Sequence, residues 1–226
     1  MNKILKKTSD SLISPALLRT KLSDSGFVKK YRLLDVSLNT DELADYKKGH
    51  IEKAIYFDVG YGTKPTERYP KPFPPIEQFQ TYLGGLGISN KHHLIIYDRS
   101  PYGFLLAPRA WWVMRVLGHE DMSILNGGFN GWIKSGFGLT DKIDHFEEEN
   151  YQAKENLSLA CNYEDIIENI KTKKYQVIDG RPKSHFNSIN PVLGLPNNIP
   201  NSINVQHNEI FDRSTHCLKS NEDLKK

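Results

Sequence analysis

The chain predicts an α/β fold: a parallel sheet flanked by helices on both faces, with a complete first copy and an incomplete second copy. Three observations predict it. Short apolar runs alternate with helix-length amphipathic stretches through roughly the first 137 residues. The run His93-Leu94-Ile95-Ile96-Tyr97 is apolar on consecutive positions, as a strand covered on both faces must be. A pattern around residue 31 also returns around residue 175.

The elements follow in order. Ser14 and Pro15 mark a helix start, with Leu17, Leu18 and Leu22 on one face. Residues 31–36 read as a strand, 40–48 as a short polar helix, and 54–59 as another strand. Five prolines from residue 60 to 75 give an irregular excursion. Helix resumes at Ile76 and stops at the Gly84, Gly85, Gly87 cluster. The strand ending at Asp98 comes next, then a helix through 110–117, a strand over 122–125 and a short helix over 129–134. Residues 141–150 are acidic and poor in apolar side chains, as a linker is. The organisation expected is a first domain over 10–140, a linker over 141–155 and a partial second domain over 156–226.

The repeat supports that division. Lys29-Lys30-Tyr31-Arg32-Leu33-Leu34-Asp35-Val36 is echoed by Lys173-Lys174-Tyr175-Gln176-Val177-Ile178-Asp179-Gly180, 144 residues on from Asp35 to Asp179. Ala54-Ile55-Tyr56-Phe57 likewise matches Ser202-Ile203-Asn204-Val205. Two matches in one order indicate an internal duplication. Asp98 follows Asp35 by 63 residues, so the equivalent loop of the second copy falls at about position 242, past Lys226. The second copy is therefore expected to lack its loop and the strand that feeds it.

Charge and composition exclude several classes. Thirty basic and 27 acidic residues leave a net charge of +3, with no basic stripe interleaved with aromatics, so no nucleic-acid partner is expected. No apolar run approaches a membrane span. Cys161 and Cys217 are too few for a disulfide framework, which points to a reducing compartment. Cytosol is the expectation; Lys3, Lys6 and Lys7, with no acid before Asp10, keep a mitochondrial segment as the alternative. His92-His93 has no partner at zinc spacing, so no metal and no cofactor are expected.

The loop after the strand ending at Asp98 carries the functional argument. Asp98-Arg99-Ser100-Pro101-Tyr102-Gly103 leads from a strand into a helix, a geometry that gathers backbone N–H groups around one point. A cysteine there would have its thiolate stabilised. This chain has a carboxylate in place of a thiol, so the loop reads as catalytically silent.

Leu86-Gly87-Ile88-Ser89-Asn90, Ile95-Ile96-Tyr97-Asp98, Ala107-Pro108-Arg109-Ala110-Trp111-Trp112, Gly118-His119 and Leu125-Asn126-Gly127-Gly128-Phe129 with Trp132 lie in one order. Together they resemble the tandem rhodanese family, which includes thiosulfate and 3-mercaptopyruvate sulfurtransferases. The resemblance implies a rhodanese-like parallel sheet and an N-terminal copy with Asp where the C-terminal copy has Cys. It further implies a ping-pong transfer through a Cys persulfide, from a small anionic sulfur donor to a thiol or cyanide. Arg181 and His185 stand where the family's substrate-binding arginines would be, and the histidine weakens that grip. The usual Gly-His before the turn reads Asn197-Asn198. No catalytic residue is assigned within the chain, and Asp98, Arg99 and Gly103 mark the silent loop.

Other residues take plainer roles. Cys161 and Cys217 read as ordinary thiols, the latter far from either loop position. Trp111, Trp112 and Trp132 read as core, and Arg109 as a structural cation. Two functions remain: a family sulfurtransferase inactive in this chain, or a non-enzymatic interaction module that binds a protein partner or itself through the incomplete second copy. A rhodanese-fold phosphatase needs Cys and Arg in one loop, and Asp98-Arg99 lacks the thiol.

Overall fold

The computed structural model describes residues 11–38, 42–66, 72–101 and 103–225. They divide into two units: residues 1–159 with Ser214–Cys217, and residues 160–213 with 218–226.

The first unit is built on β1 (Leu12–Ile13), β2 (Tyr31–Ser37), β3 (Ala54–Asp58), β4 (His93–Asp98) and β5 (Met122–Leu125). All pair in parallel, in the order β1-β5-β4-β2-β3. The helices are α1 (Pro15–Leu22), α2 (Phe27–Lys30), α3 (Leu43–Lys48), α4 (Ile76–Gly85), α5 (Ala107–Val116) and α6 (Gly128–Lys134).

Alternation along the strands sorts the core into two layers. Leu34, Val36, Ile55, Phe57, Leu94 and Ile96 face one way and meet Phe79 and Leu83 of α4 and Val113 and Met114 of α5. Leu33, Ile95, Tyr97 and Leu125 face the other way and meet Leu18 and Leu22 of α1, Phe27, and Trp132 of α6. Strands covered on both sides carry no polar face, which is why β2 and β4 read as continuous apolar runs. Burying each large aliphatic side chain contributes about 1.5–3 kcal/mol.

Several local expectations are corrected. Leu17 is 50% exposed, because α1 is only two turns long and presents Leu18 and Leu22 inward. The helix at residues 40–48 is described only from Leu43, its expected start lying outside the described residues. Helix α4 runs through Gly84 and Gly85, ending two residues later than the glycines suggested. Helix α5 begins at Ala107, three residues early, with Pro108 in its first turn. Ser14 does cap α1, its Oγ accepting from Leu17 N at 3.2 Å.

Residues 140–156 contain no helix or strand longer than an isolated bridge, and they belong to the first unit. Glu149 N donates to Gly84 O, Lys154 N to Leu117 O, and Tyr151 is 2% exposed. The second unit holds α7 (Tyr163–Thr172), β6 (Ile178–Asp179), α8 (Lys183–Phe186) and β7 (Ile203–Asn204). Asn162 and Asp165 form a reciprocal capping box at the start of α7. Strands β6 and β7 pair in parallel, with Asp179 opposite Asn204; Asp35 stands opposite Tyr56 in the same way. The two matching sequence stretches thus share one pairing register.

Candidate functional site

Strand β4 lies between β5 and β2, and its last residue, Asp98, is fully buried at the carboxyl end of the sheet. The chain turns there and enters α5. Oδ2 of Asp98 accepts from the backbone N–H groups of Leu105 at 2.9 Å, Leu106 at 2.7 Å and Ala107 at 2.7 Å. Oδ1 accepts from Ser100 N at 2.9 Å and from the Ser100 hydroxyl. Four amides and one hydroxyl converge on one carboxylate at a helix start, an arrangement suited to holding negative charge.

The loop is held closed by glycines. Gly103 sits at φ +68°, where a Cβ would lie 2.5 Å from Gly128 Cα. Gly128 sits at φ +55°, where a Cβ would lie 2.4 Å from Gly103 Cα. Only residues without a side chain allow this approach.

Arg99 turns away from the cradle and back over the sheet. Its Nε donates to Oδ1 and Oδ2 of Asp35 at 3.2 and 3.1 Å, and its Nη2 to Oδ2 at 2.6 Å and to Gly49 O at 2.9 Å. The guanidinium also lies 4.1 Å from the Phe129 ring centre. Tyr97 Oη donates to Asp35 Oδ2 at 2.8 Å. Burial raises the Asp35 carboxyl above its usual range, and Arg99 and Tyr97 draw it only part of the way back. Burial and the adjacent carboxylate push the Tyr97 hydroxyl far up.

The second unit repeats the aspartate clasp with a different arginine. Nε of Arg181 donates to both oxygens of Asp179 at 3.0 Å, and its Nη2 donates to Oδ2 at 2.6 Å and to Asn197 O at 2.7 Å. Gly49 and Asn197 precede the matching His50-Ile51 and Asn198-Ile199 pairs, so the two carbonyls are equivalent. In the first unit the arginine follows β4; in the second it comes from two residues after the aspartate. The carboxyl of Asp179 is lowered by its bonds to Arg181. His185 is exposed on α8.

The remaining candidates occupy structural positions. Arg109 donates to Pro72 O at 2.9 Å, tying α5 to the proline-rich excursion. Trp132 is buried and donates to Gly138 O at 3.0 Å; Trp112 donates to Leu159 O at 2.8 Å. His92 Nδ1 accepts from Ser89 N at 3.0 Å, and burial lowers this imidazole to about 4. His93 instead bonds Asp121 at 2.7 Å and Ser123 at 2.9 Å. Among the described residues, no group of three or more His, Cys, Asp or Glu gathers as a metal set, and no helix is long and apolar enough to cross a membrane.

One placement differs from the sequence reading. Cys161 is exposed, but Cys217 is not remote from the Asp98 loop. Its Sγ lies 3.3 Å from the point where a Gly127 Cβ would stand, beside the Gly103–Gly128 contact. His216 bonds the Pro101 carbonyl, and Lys134 Nζ donates to Ser214 O at 2.9 Å. No periodic signal in the sequence marks this turn as part of the first unit. Gly127 is also the N-cap of α6, so Cys217 stands beside that helix start, while its backbone N donates to the Thr215 hydroxyl at 3.3 Å and its Sγ to the Thr215 carbonyl at 3.6 Å.

A rhodanese-like domain family matches residues 14–135. Thiosulfate sulfurtransferase of Mus musculus is 32% identical over 203 residues, covering 86% of this chain and 68% of the relative. The 3-mercaptopyruvate sulfurtransferase of the same organism is 33% identical over the same shares. The crystal structure of SseA from Escherichia coli, described among 3-mercaptopyruvate sulfotransferases, superposes with a TM-score of 0.81 at 26% identity, covering 96% of this chain and 82% of that one. The chain spans about two-thirds of the length of the curated relatives it matches. A parallel sheet with helices on both faces, the loop at the end of its central strand and this kinship lead to one conclusion: the chain belongs to the rhodanese family, alongside the thiosulfate and 3-mercaptopyruvate sulfurtransferases.

Proposed function

We propose that this protein is a sulfurtransferase-family chain whose residues 1–226 do not themselves transfer sulfur. The carrying observation is the Asp98 cradle: the amides that would stabilise a thiolate and its persulfide are taken up by a carboxylate. Transfer from thiosulfate requires a thiolate to attack the sulfane sulfur and expel sulfite. Cyanide or a thiol then attacks the outer sulfur of the persulfide and releases the thiolate. A carboxylate does neither step.

On this reading the first unit is the silent copy, and the second belongs to the copy that binds the donor. Arg181, with His185, would meet the anionic donor there. Nε and Nη2 of Arg181 are committed to Asp179 and Asn197, which leaves the Nη1 donors for an anion. Two free thiols favour the reducing cytosol as the compartment, with the mitochondrion as the alternative.

The test is a thiosulfate:cyanide assay and a 3-mercaptopyruvate assay on the purified chain, its Cys161→Ser variant and its Cys217→Ser variant. No turnover above buffer is expected from any of them. Turnover abolished by either serine substitution would overturn the reading and identify the nucleophile.

A further inference from the structure

The first unit holds a cavity of about 750 Å³ at the end of the sheet remote from Asp98. Val28 lies just before β2, and Glu52 and Lys53 just before β3, so the cavity sits at the amino ends of these strands. Asp98 closes the carboxyl end of β4, which runs parallel to β2. The far wall comes from the stretch after α6, between Gly136 and Phe146. Thr140 anchors this stretch by exchanging two backbone hydrogen bonds with His50, both 2.9 Å, and Trp132 Nε1 donates to Gly138 O at 3.0 Å. The volume falls within the range of about 300–1,000 Å³ found for small-molecule sites.

Two properties of the lining define what fits. Val28, Phe137, Leu139 and Phe146 give apolar walls, and the Phe137 ring rests on Trp132 with 4.8 Å between centres. Leu139 is 44% exposed, so apolar surface here still meets water. The charges do not balance. Lys142 is matched by Asp144 at 3.1 Å, but Arg19 and Lys53 share Glu52, at 3.8 and 3.2 Å. With histidine counted as neutral, the lining carries one positive charge in excess. The Lys53 ammonium is also tied to Leu22 O at 2.6 Å, whereas the Arg19 contact is longer than a hydrogen bond. The guanidinium therefore keeps its planar fork for a carboxylate.

We propose that this cavity binds an organic monoanion with a flat apolar body, of the aromatic carboxylate class. The ring displaces water from between the apolar walls, and the carboxylate meets Arg19 beside Lys53. One negative charge neutralises the excess; a dianion would overshoot it, and an uncharged aromatic would leave Arg19 unmet. Thiosulfate is a dianion without an apolar body, and 3-mercaptopyruvate has no ring, so this ligand is distinct from the sulfur donors of the family's reaction. The cavity lies apart from the Asp98 loop, and its occupancy does not depend on whether the chain transfers sulfur.

The probe is 2-naphthoate, titrated into the isotope-labelled full chain and followed by amide chemical shifts, with 2-naphthylmethanol and acetate as controls. Saturable binding is expected, with shifts at Val28, Lys53 and residues 137–146 and none at residues 98–107. Arg19→Gln should weaken it about tenfold, through loss of one charge-assisted contact. Glu52→Gln removes the competing carboxylate and should tighten it about threefold. The Arg19 and Glu52 side chains are 53% and 49% exposed, so both variants keep the fold. Each control should bind at least about tenfold more weakly than the probe. The absence of saturable binding, or shifts confined to residues outside the lining, would overturn the proposal. So would an unchanged affinity in Arg19→Gln, or equal binding of the uncharged alcohol.

Discussion

Arg99 reaches from the residue after β4 to clasp Asp35 in β2, with Nη2 2.6 Å from Oδ2. This pair ties the turn of the Asp98 loop to the middle of the sheet, and the aspartate is buried. Arg181 and Asp179 form the same clasp in the open. The two pairs allow burial to be separated from geometry.

Arg99→Ala leaves a buried carboxylate without its cation. It should cost about 3–5 kcal/mol, read as a lower urea midpoint with an unchanged slope. Arg181→Ala removes an equally well-formed but exposed clasp and should cost no more than about 1 kcal/mol. Equal losses would show that burial does not set the strength of the contact.

Asp98→Ala strands four amides and the Ser100 hydroxyl around an empty space. A loss of about 3 kcal/mol is expected in urea unfolding. Asp98→Asn keeps one oxygen as acceptor and should lose roughly half as much.

Asp98→Cys places a thiol among the same donors. Its alkylation by iodoacetamide should rise to a plateau at a lower pH than that of exposed Cys161, because the donors favour the thiolate. Mass mapping of the two sites across pH 5–9 reads this directly; coincident profiles would show that the cradle does not favour anions.

Gly103→Ala and Gly128→Ala each force a Cβ to within 2.5 Å of backbone at a positive φ. Either should destabilise by about 2 kcal/mol or more, measured by thermal unfolding. Gly136 is a useful control. It has a positive φ but nothing near its Cβ, so alanine there carries only the strain of the backbone conformation.

Acid should weaken the first unit through its buried histidines. His92 is lowered to about 4 by burial and by the Arg32 charge, and burial also lowers His119. Both are neutral in the folded chain, and both bind a proton near pH 6.5 when unfolded. Their full contribution is present above that pH. The His92 share is lost as pH falls from about 6.5 toward 4, at up to about 1.4 kcal/mol per pH unit, and His119 adds in the same direction. Urea unfolding between pH 7.5 and 4.5 measures the slope, and His92→Gln should flatten it.

The parts of the fold legible in the sequence are those whose signal is local. Strand β4 announces itself by six successive residues that pack on two faces, and α7 by Asn162 and Asp165 at capping spacing. The Asp98 loop could be read from strand, turn and helix in succession. Strand β1 could not, since two residues before a proline acquire strand geometry only by pairing with Ile124 and Leu125, over a hundred positions away. The Arg99–Asp35 clasp spans 64 residues and has no local mark. The approach of Cys217 to Gly127 likewise depends on the path of residues between 205 and 217, where no periodicity guides a reader.

The Asp98 carboxylate also bears on how a turn built from converging dipoles stays closed. A side chain without acceptors would leave that ring of amides facing a void, and the turn would come apart. Two carboxylate oxygens instead accept from donors on both sides of the turn. The aspartate thus serves as a rivet between sheet and helix.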